Sequence, residues 1–521
     1  METTFGILSL LPPIVAIGLA IWTKQVILSL FLGVWIGATM LAHGNPWVGV
    51  VDSFRHFLVP NLADSWNASV IVMLVVLGGF AALIERGGGA HAFAEAMRER
   101  ITSPRSAQTV TWLGGLAIFF SDSTNPVVVG PIFRPITDRV RVSREKLAYI
   151  VDSTSAAVPC LLPITSWGAY IMGLIGTEFQ EANITESVFL AFTRSIPFQL
   201  YTIAAILMVL VIAATNLEYG PMRLAEMRAR REGKLLRDGA EPLRDEIEVK
   251  IPDGARPTVW NMFLPIICLV ICIFGMFLWT GGFPGRGFFE AFPHASTMPS
   301  LIMSFFVAGV VAFIMGVKSG VFTFKTGIRN WMEGVRGMMD AMVILVLAWG
   351  IGSVCKGVGT APYIVGIAEG ALSPHLLYLL IFLAAAATAF STGTSWGTFA
   401  IFMPIAIPLA LALDVSIYPA IGAALSGGIF GDHSSPVSDT TILSSIGSTC
   451  DHIDHVTTQL PYALTAALAA GVGYIVAGFA PSGPLALSIT LAVLAGAILA
   501  ISKATGRPLL LEEKPGSSTG D

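Results

Sequence analysis

Apolar runs long enough to cross a lipid bilayer recur along the whole chain. Residues 8–22, 26–41, 68–83 and 485–501 are examples. A helix needs about 20 mostly apolar residues to span a hydrocarbon core about 30 Å thick, and in lipid every backbone polar group must be bonded within the protein. Only 12% of the residues are charged, against roughly 25% in soluble domains. The sequence therefore predicts an all-α polytopic membrane protein.

The chain also repeats its own pattern of apolar and polar segments, at an offset of about 270 residues. The segments at residues 27–32, 85–89 and 120–121 return at residues 302–307, 355–359 and 390–391. Two sets of apolar spans, each interrupted by Gly, Pro, Ser and Asp, are typical of secondary transporters. The pattern therefore favours translocation of a solute as the function, and we expect no enzymatic activity.

Basic residues indicate how the two copies are oriented. In the first copy, nine Lys or Arg residues flank residues 107–133: Arg86, Arg98, Arg100, Arg105, Arg134, Arg139, Arg141, Arg144 and Lys146. The equivalent flanks of the second copy offer little more than Lys356. Basic loops stay in the cytoplasm, so the same loops should face opposite sides of the membrane. We therefore expect two inverted-topology repeats.

Basic flanks on both sides of residues 107–133 further predict a segment that enters the membrane and turns back. We interpret this segment as a re-entrant helical hairpin with its tip at residues 121–126. Its counterpart, at about residues 375–413, should enter from the other side with its tip at 391–397. An ordinary kinked helix is the alternative in each case. Each repeat then has about five transmembrane helices plus a re-entrant hairpin and a broken helix, and one C-terminal transmembrane helix follows.

These expectations divide the chain into five parts. They are a first transmembrane repeat at 1–217, a charged cytoplasmic linker at 218–257, a second inverted repeat at 258–480, an extra C-terminal transmembrane helix at 481–503 and a cytoplasmic tail at 504–521. We interpret the linker as a solvated helical connection. The first span lacks a basic flank and is expected to be a retained helix. A net charge of -4 gives no reason to expect a nucleic-acid partner, and the five cysteines show no metal or disulfide spacing.

Four polar stretches interrupt the apolar spans, at residues 121–126, 152–167, 391–397 and 427–441. Pro and Gly open the helical hydrogen-bond ladder there, and carbonyls and hydroxyls that converge in the membrane suit a hard cation. An intramembrane carboxylate costs at least ~2.5 kcal/mol and marks a functional site by default. The candidates for binding a cation or a proton are four acids that we expect to be buried, with no deeply placed Lys or Arg to neutralise them: Asp122, Asp152, Asp432 and Asp439.

A shared acidic site would exchange cations for protons. The empty site should hold protons, and a bound cation should displace them. Hydroxyl and amide groups around the acids are the expected supporting ligands: Ser123, Thr124, Asn125, Thr165, Ser166, Ser391, Thr392, Thr394, Ser395, Ser435, Ser438 and Thr440. The alternative is that the four acids cap broken helices. Equivalent positions in the other copy lack acids, so we expect one asymmetric site.

The sequence leaves the roles of the histidines in this region open. His433 suits either a proton relay or a hydrogen-bonded residue at the helix break. Asp451-His452 and Asp454-His455 resemble a metal cluster, but they fall after a predicted span, so we expect a cytoplasmic loop there. Trp167 and Trp396 are expected to wedge the broken segments.

The sequence GDHSSPVSDTTILSS at residues 431–445, with STGTSWG at 391–397, resembles the signature of NhaC-type sodium/proton antiporters, a family of the ion transporter superfamily. The resemblance covers nearly the whole chain. It implies an antiporter of the bacterial inner membrane that forms a homodimer and works by an elevator-like movement, with lipid around it and the linker and C-terminus in the cytoplasm. The tip SDSTNP at 121–126 is similar to the Ser-Asn-Thr tips of the superfamily but adds Asp122.

Two transport functions remain open from the sequence. The first is Na⁺/H⁺ exchange at the shared carboxylate site, with Na⁺ as the transported ion and no further cofactor. The second is a cation-coupled symporter or exchanger of a small organic solute such as an amino acid, an amine or a carboxylate, in which Na⁺ is the coupling ion. An intramembrane hydrolase using Ser434 or Ser435 with His433 is disfavoured, because neighbouring residues on one chain rarely form a triad, HExxH is absent, and neither serine lies in a GxSxG motif.

Overall fold

A computed structural model describes residues 5–23, 25–98, 101–119, 122, 124–242, 252, 254–287, 291, 294–360, 363 and 373–505. The described residues form helices joined by short connections, and their one β-bridge pairs Pro242 with Asp451. The predicted all-α class is confirmed. The expected tail from residue 506 onward and residues 243–251 of the expected linker lie outside the described residues.

The helices of the first half are α1 (Leu11–Thr23), α2 (Val26–Leu41), α3 (Pro46–Asp52), α4 (Val59–Ala63), α5 (Ser65–Glu85), α6 (Gly89–Arg98), α7 (Pro104–Ala117), α8 (Thr124–Arg139), α9 (Arg144–Ser155), α10 (Ala157–Leu161), α11 (Ser166–Glu181), α12 (Val188–Ser195) and α13 (Leu200–Thr215). After α14 (Gly220–Glu232), the second half contains α15 (Trp260–Thr280), α16 (Thr297–Lys318), α17 (Phe324–Gly337), α18 (Met339–Val358), α19 (Leu377–Thr392), α20 (Ser395–Ala412), α21 (Ile417–Ser434), α22 (Asp439–Ser448), α23 (His452–Phe479) and α24 (Gly483–Thr505).

Many of these helices are suited to cross a membrane. Within the described residues, nine are long and apolar enough to span, and two bent helix pairs raise the number to as many as eleven. The α7 and α8 helices have 14 and 16 residues, fewer than the ~20 that a span needs, which favours a re-entrant hairpin. The α19 and α20 helices each pass the length test. The second hairpin and the inversion of the repeats stay predictions.

Proline produces both broken helices. Pro436 has no N–H for the helix ladder and forces the preceding residue into extended backbone, and Ser435 accordingly has ψ 129. The chain restarts as α22 with Ser438 as its N-cap. In the first half, Leu162 before Pro163 is extended in the same way, and α11 starts behind Thr165, whose Oγ1 accepts the N–H of Gly168 at 3.0 Å. The helix pair on either side of Pro163 is bent by 44°.

Glycines bring the predicted hairpins into backbone contact with the broken helices. A Cβ at Gly431 on α21 would collide with the carbonyl oxygen of Ala386 on α19, and a Cβ at Gly447 on α22 would collide with that of Pro126 on α8. Gly115 likewise brings α7 against Thr154 on α9. We call helices α7–α11 and α19–α22 the hairpin unit, because these contacts leave its helices no room to slide past one another.

A second set of glycine contacts joins other helices. Gly78 on α5 lies against Gly334 on α17, and Gly37 on α2 lies against Val354 on α18. We call α1, α2, α5 and α15–α18 the flanking unit. The two units meet where α18 contacts α11, and the indole Nε1 of Trp349 donates to the carbonyl of Gly173 at 3.3 Å there.

The first part of the expected linker is docked, which corrects the prediction of a solvated connection. On α14, Glu226 is fully buried and accepts the backbone N–H of Ser143 at 2.8 Å. Arg228 donates from Nη2 to both carboxylate oxygens of Glu145 at 2.9 Å. The polar face of α14 therefore binds the start of α9 instead of water.

A buried ion pair lies at the start of this segment. Lys146 Nζ is 2.8 Å from a carboxylate oxygen of Glu218, and both side chains are 0% exposed. The Tyr462 hydroxyl donates to the same carboxylate, and the Lys146 ammonium lies over the Tyr149 and Tyr462 rings. The sequence suggested no deeply placed cation, and Lys146 corrects that, although its charge is balanced by Glu218 and not by the four candidate acids. Removing one partner of such a pair costs about 3–5 kcal/mol.

The far end of the docked segment binds the α22–α23 connection. Arg237 pairs with Asp454 at 2.6 Å and with Asp451 at 3.3 Å, and the N–H of Glu241 donates to Asp451 at 2.9 Å. Burial raises the pKa of Asp451, but the backbone N–H groups of Glu241, Asp454 and Ile453 and the Arg237 guanidinium outweigh it, so the pKa lies below its usual value. Asp451 therefore holds the segment best when ionised.

We predict that Arg237→Ala loosens residues 233–242 without unfolding α23. Exposed ion pairs contribute about 0.2–1 kcal/mol each, so hydrogen exchange of these amides should accelerate severalfold, with α23 unchanged. Because the pKa of Asp451 is depressed on folding, its contribution is complete above the ordinary pKa of Asp and is lost as pH falls through the folded value. A spin label at Ala240 should therefore gain mobility only in strong acid. Equal exchange in the variant and the unmodified chain would contradict the contact.

Candidate functional site

Asp432 lies on the last turn of α21, directly before the break at Pro436. Its Oδ2 accepts a hydrogen bond from Ser395 Oγ at 2.5 Å, and its Oδ1 accepts one from Ser438 Oγ at 2.5 Å. Ser438 Oγ also lies 3.0 Å from Thr440 Oγ1. Asp432 is 4% exposed. Two hydroxyls from separate segments therefore hold a carboxylate that has left water, as a buried charge requires.

The two predicted hairpin tips meet beside this carboxylate. Trp396, the neighbour of Ser395, donates its Nε1 hydrogen to Oδ2 of Asp122 at 3.3 Å. Tyr170 donates to the carbonyl of Trp396 at 2.7 Å, and Trp167 packs edge-on against the Trp396 ring. Asp122 is half-buried and lies within electrostatic range of Asp432. Trp396 therefore joins the two tips, and Trp167 packs against it from α11.

Two buried oxygens near these acids in sequence have no partner among the described residues. Asn125 donates from Nδ2 to the carbonyls of Gly115 and Ile118, both at 2.9 Å, but its Oδ1 accepts nothing. Ser434 Oγ, two residues after Asp432, is also buried and unpaired. Unpaired buried oxygens are rare in proteins, and a cation that prefers oxygen ligands would satisfy them.

Asp152 forms a second cluster with groups from α22 and α23. Its Oδ2 accepts from Gln459 Nε2 at 2.7 Å and from Thr441 Oγ1 at 3.2 Å, and its Oδ1 accepts from Ser444 Oγ at 3.3 Å. Gln459 also donates to the carbonyl of His433. Asp152 is thus a hydrogen-bonded carboxylate in the interior and not a cap at an exposed helix end.

Two histidines lie on either side of Asp152. His433 Nε2 and His455 Nε2 are each 3.9 Å from Oδ2 of Asp152. His433 bonds to Ser153 Oγ at 3.1 Å and to the Tyr201 hydroxyl at 2.7 Å. Neither Ser434 nor Ser435 is its hydrogen-bond partner, so the geometry contains no Ser-His pair from the hydrolase alternative.

His455 also begins a hydrogen-bonded chain that leads away from Asp152. Ser445 Oγ lies 2.9 Å from His455 Nδ1 and 3.1 Å from His452 Nδ1. His452 is only partly buried, and its Nε2 lies 2.7 Å from the carbonyl of Pro436. At its inner end, His455 Nε2 lies 3.0 Å from Gln459 Oε1 and 3.9 Å from Oδ2 of Asp152, so Gln459, which donates to Asp152, completes the link between this carboxylate and the accessible imidazole.

The prediction that residues 451–455 form a loop was wrong. Asp451 is the N-cap of α23, and its Oδ1 accepts the N–H groups of Ile453 and Asp454. His455 lies in the first turns of this helix and is fully buried. Arg237 engages both acids, and no group of three or more His, Cys, Asp or Glu among the described residues is placed to hold a metal ion.

Asp439 is the clearest departure from the predicted set of buried acids. It is the first residue of α22, and its side chain is exposed, outside the hydrogen bonds around Asp432 and Asp152. Seven residues would return to one face of a continuous helix, but the break at Pro436 redirects the chain. Asp122, only half-buried, also differs from the expectation of full burial.

The other predicted ligands fall into groups according to their hydrogen-bond partners. Ser395, Ser438 and Thr440 surround Asp432, whereas Ser391 and Thr392 bond to carbonyls of their own helix. Ser435 donates to the carbonyl of Phe390, Thr165 caps α11, and Ser166 is buried beside it. Thr394 is the N-cap of α20 but makes no side-chain cap. Ser123 and the side chain of Thr124 lie outside the described residues.

Several groups around Asp152 were missed from the sequence. They are Ser153, Tyr201, Thr441, Ser444, His455 and Gln459. A signal existed for the last two, because His455 and Gln459 are four residues apart and share one face of an otherwise apolar helix. For Tyr201 and Ser153, nothing in the sequence brings them to residue 433.

We predict that Gly393→Ala displaces the second tip. Gly393 has φ 70, and a Cβ there would lie 2.5 Å from the carbonyl oxygen of Val437. Strain of this kind costs about 1–3 kcal/mol, so the melting temperature in detergent should fall, and exchange should accelerate at residues 390–398 and 435–438. Gly275→Ala, where a Cβ meets open space, is the matched control and should melt no lower. An unchanged Gly393 variant would show that the tip is not held by this contact.

Known proteins share both the sequence and the fold. A protein from Haemophilus influenzae, described only as uncharacterized, is 36% identical over 519 residues, which cover 96% of this chain and 97% of the relative. The YdaH transporter of Alcanivorax borkumensis has a similar structure, with a TM-score of 0.57 at 16% identity over 82% of this chain and 88% of YdaH. MtrF of Neisseria gonorrhoeae, from a class of antimetabolite efflux pumps, aligns over 82% of this chain and 84% of its own at 12% identity, with a TM-score of 0.47.

The family follows from a profile match over more than half of the chain. The profile of the Na⁺/H⁺ antiporter family matches residues 158–479. This range contains α21, α22 and α23, and with them Asp432 and the residues that hold it. The likeness to YdaH independently supports the fold. The chain is a multi-pass membrane transporter and belongs to the Na⁺/H⁺ antiporter family.

Proposed function

We propose that this transporter exchanges Na⁺ for protons, and that Asp432 binds the cation. The observation that carries the proposal is a buried carboxylate, held by Ser395 and Ser438, at the junction of a broken helix and the meeting tips. An ionised group at that depth needs a counter-charge or a proton. No Lys or Arg forms an ion pair with Asp432 among the described residues. The membership in the Na⁺/H⁺ antiporter family supports Na⁺ as the cation.

The oxygen atoms around the tips are suited to complete the sodium site. In this proposal, Asp432 and Asp122 supply charge, and Ser395, Ser438 and Thr440 supply hydroxyl oxygens. Asn125 Oδ1 and Ser434 Oγ, which are buried and unpaired, are further ligands. Asp439 binds the ion only in another conformation, because its side chain is exposed in this one.

Protons use the adjoining Asp152 cluster in this proposal. His452, Ser445 and His455 form a hydrogen-bonded route from an accessible side chain to a point 3.9 Å from Asp152. Adjacent residues on two helices connect the clusters: Asp432 and His433 on α21, and Thr440 and Thr441 near the start of α22. Ionisation of one carboxylate therefore raises the free energy of ionising the other. Exchange of a cation for protons at a shared site requires this coupling.

The glycine contacts support an elevator-like movement. Because the hairpin unit is packed backbone to backbone, it would move as one body against the flanking unit and carry the site with it. We further propose inverted repeats, a homodimer and a bacterial inner-membrane location with the linker and C-terminus in the cytoplasm. The nine basic residues around residues 107–133, against little more than Lys356 in the second half, support that orientation.

The first test is sodium-dependent proton flux in proteoliposomes for Asp432→Asn. We expect at least a 100-fold loss of Na⁺/H⁺ exchange, because the amide keeps the shape and removes the charge. Asp414→Asn is the control, since Asp414 is exposed in a connection with φ 52, a backbone that Asn tolerates. Flux that is unaffected by Asp432→Asn would refute the site. Flux driven only by an organic solute, with Na⁺ or without it, would refute simple cation exchange.

A second test separates the proton route from the cation site. Ser445→Ala removes the hydroxyl between His452 and His455, so proton flux should slow about tenfold while equilibrium binding of ²²Na⁺ stays unchanged. Ser69→Ala is the control, because Ser69 bonds only to its own helix at Ser65. If Ser445→Ala transports at the normal rate, protons use another route.

A further inference from the structure

A cavity of about 200 Å³ lies between α11, α18 and α20, away from the residues assigned above. Its walls include Gly352 and Cys355 from α18 and Pro404, Pro408 and Leu409 from α20. Since a water molecule occupies about 30 Å³ in the liquid, this space holds roughly seven non-hydrogen atoms. Most of the lining is apolar, so its occupant should have an apolar body.

One buried carboxylate lines this cavity. Glu178 on α11 is 4% exposed and makes no hydrogen bond or ion pair within the described part of the chain. Its Oε1 lies on the cavity side, because a Cβ built on the cavity-lining Gly352 would meet it at 3.3 Å. A buried carboxylate without a partner is costly. The geometry therefore calls for a donor inside the cavity.

The neighbouring charges already balance each other. Lys356 Nζ lies 3.7 Å from Oε2 of Glu181 and 3.3 Å from the Glu181 carbonyl. Glu181 also accepts from Ser353 at 3.4 Å. Lys356 is 60% exposed, so it serves Glu181 at the cavity entrance. Glu178 is left as the cavity carboxylate without a hydrogen-bond or ion-pair partner among the described residues, and an occupant with one positive charge would supply that partner.

The α20 helix supplies a second acceptor. Pro408 has no N–H to donate to the carbonyl of Pro404 one turn earlier, and both prolines line the cavity. An ammonium group has three N–H donors, so it can bond to the Glu178 carboxylate and to this carbonyl together. A bare metal ion has no apolar part, so it would leave the apolar walls formed by Leu409 and Pro404 without a van der Waals contact.

We propose that this cavity binds a small organic ammonium compound, with its charged group at Glu178 and a compact apolar body of about seven non-hydrogen atoms against α20. The site is separate from Asp432 and does not depend on the proposed Na⁺/H⁺ exchange. It joins the hairpin unit, through α11 and α20, to the flanking unit, through α18.

Equilibrium binding to the full chain tests this proposal without any transport step. Calorimetry in phosphatidylglycerol nanodiscs would compare cyclohexylammonium with its neutral isostere cyclohexanol and with the anion cyclohexanecarboxylate. We expect saturable binding of the ammonium and at least tenfold weaker binding of the other two. Glu178→Gln should weaken ammonium binding at least tenfold, whereas Glu186→Gln, which removes a carboxylate that pairs with Arg194 outside the cavity, should not change it.

A second variant guards against misfolding of Glu178→Gln. Gly352→Ala keeps the carboxylate but adds a methyl group beside it and 3.6 Å from Pro404, so binding should weaken severalfold. The proposal is overturned if cyclohexanol binds as tightly as the amine, if Glu178→Gln binds normally, or if Na⁺ alone saturates the cavity. Phosphatidylethanolamine itself carries an ammonium headgroup. If cyclohexylammonium no longer binds in nanodiscs of this lipid, the headgroup occupies the cavity and the proposal of a soluble occupant is overturned.

Discussion

The structure depends on keeping the carboxylate of Asp432 hydrogen-bonded where α21 stops. The two hydroxyls that hold it come from different places, Ser395 at the start of α20 and Ser438 after the break. A buried charge tolerates no missing donor, so the tip of the second hairpin, the end of α21 and the start of α22 must be placed together. Gly393, packed against the Val437 carbonyl, allows the chain to come that close.

The polar residues are divided between the Asp432 and Asp152 clusters because successive side chains of a helix point in different directions. On α22, Thr440 belongs to the Asp432 cluster and Thr441 to the Asp152 cluster. On α21, Asp432 and His433 are divided in the same way. Successive residues on a helix point about 100° apart, and one short broken segment can therefore serve two carboxylates. The two clusters need no long-range pathway, since adjacent residues of one helix belong to both of them.

The sequence predicts the features that rest on local rules. Pro436 and Pro163 mark the breaks because proline cannot continue the hydrogen-bond ladder, and the acids beside them are conspicuous in apolar spans. Ser395 and Ser438 are predicted for the same reason. Asp439 was misjudged because a local pattern cannot show how far the chain turns after a break. His455 was misjudged because residues 451–455 follow a predicted span and four of these five residues are titratable, whereas Arg237 from the linker neutralises the two acids. Contacts between distant segments decide these cases.

The docked segment at residues 218–242 has a consequence for the order in which the protein is made. Three of its anchors, Asp451, Asp454 and Tyr462, belong to the second half, and Arg237 precedes Asp454 by 217 residues. When the ribosome has synthesised Lys146 and Glu218, it has not yet synthesised Tyr462, whose side chain completes the enclosure of this ion pair. The enclosure of this ion pair is therefore complete only after α23 has been inserted. Full burial of the ion pair is thus a late event in biogenesis.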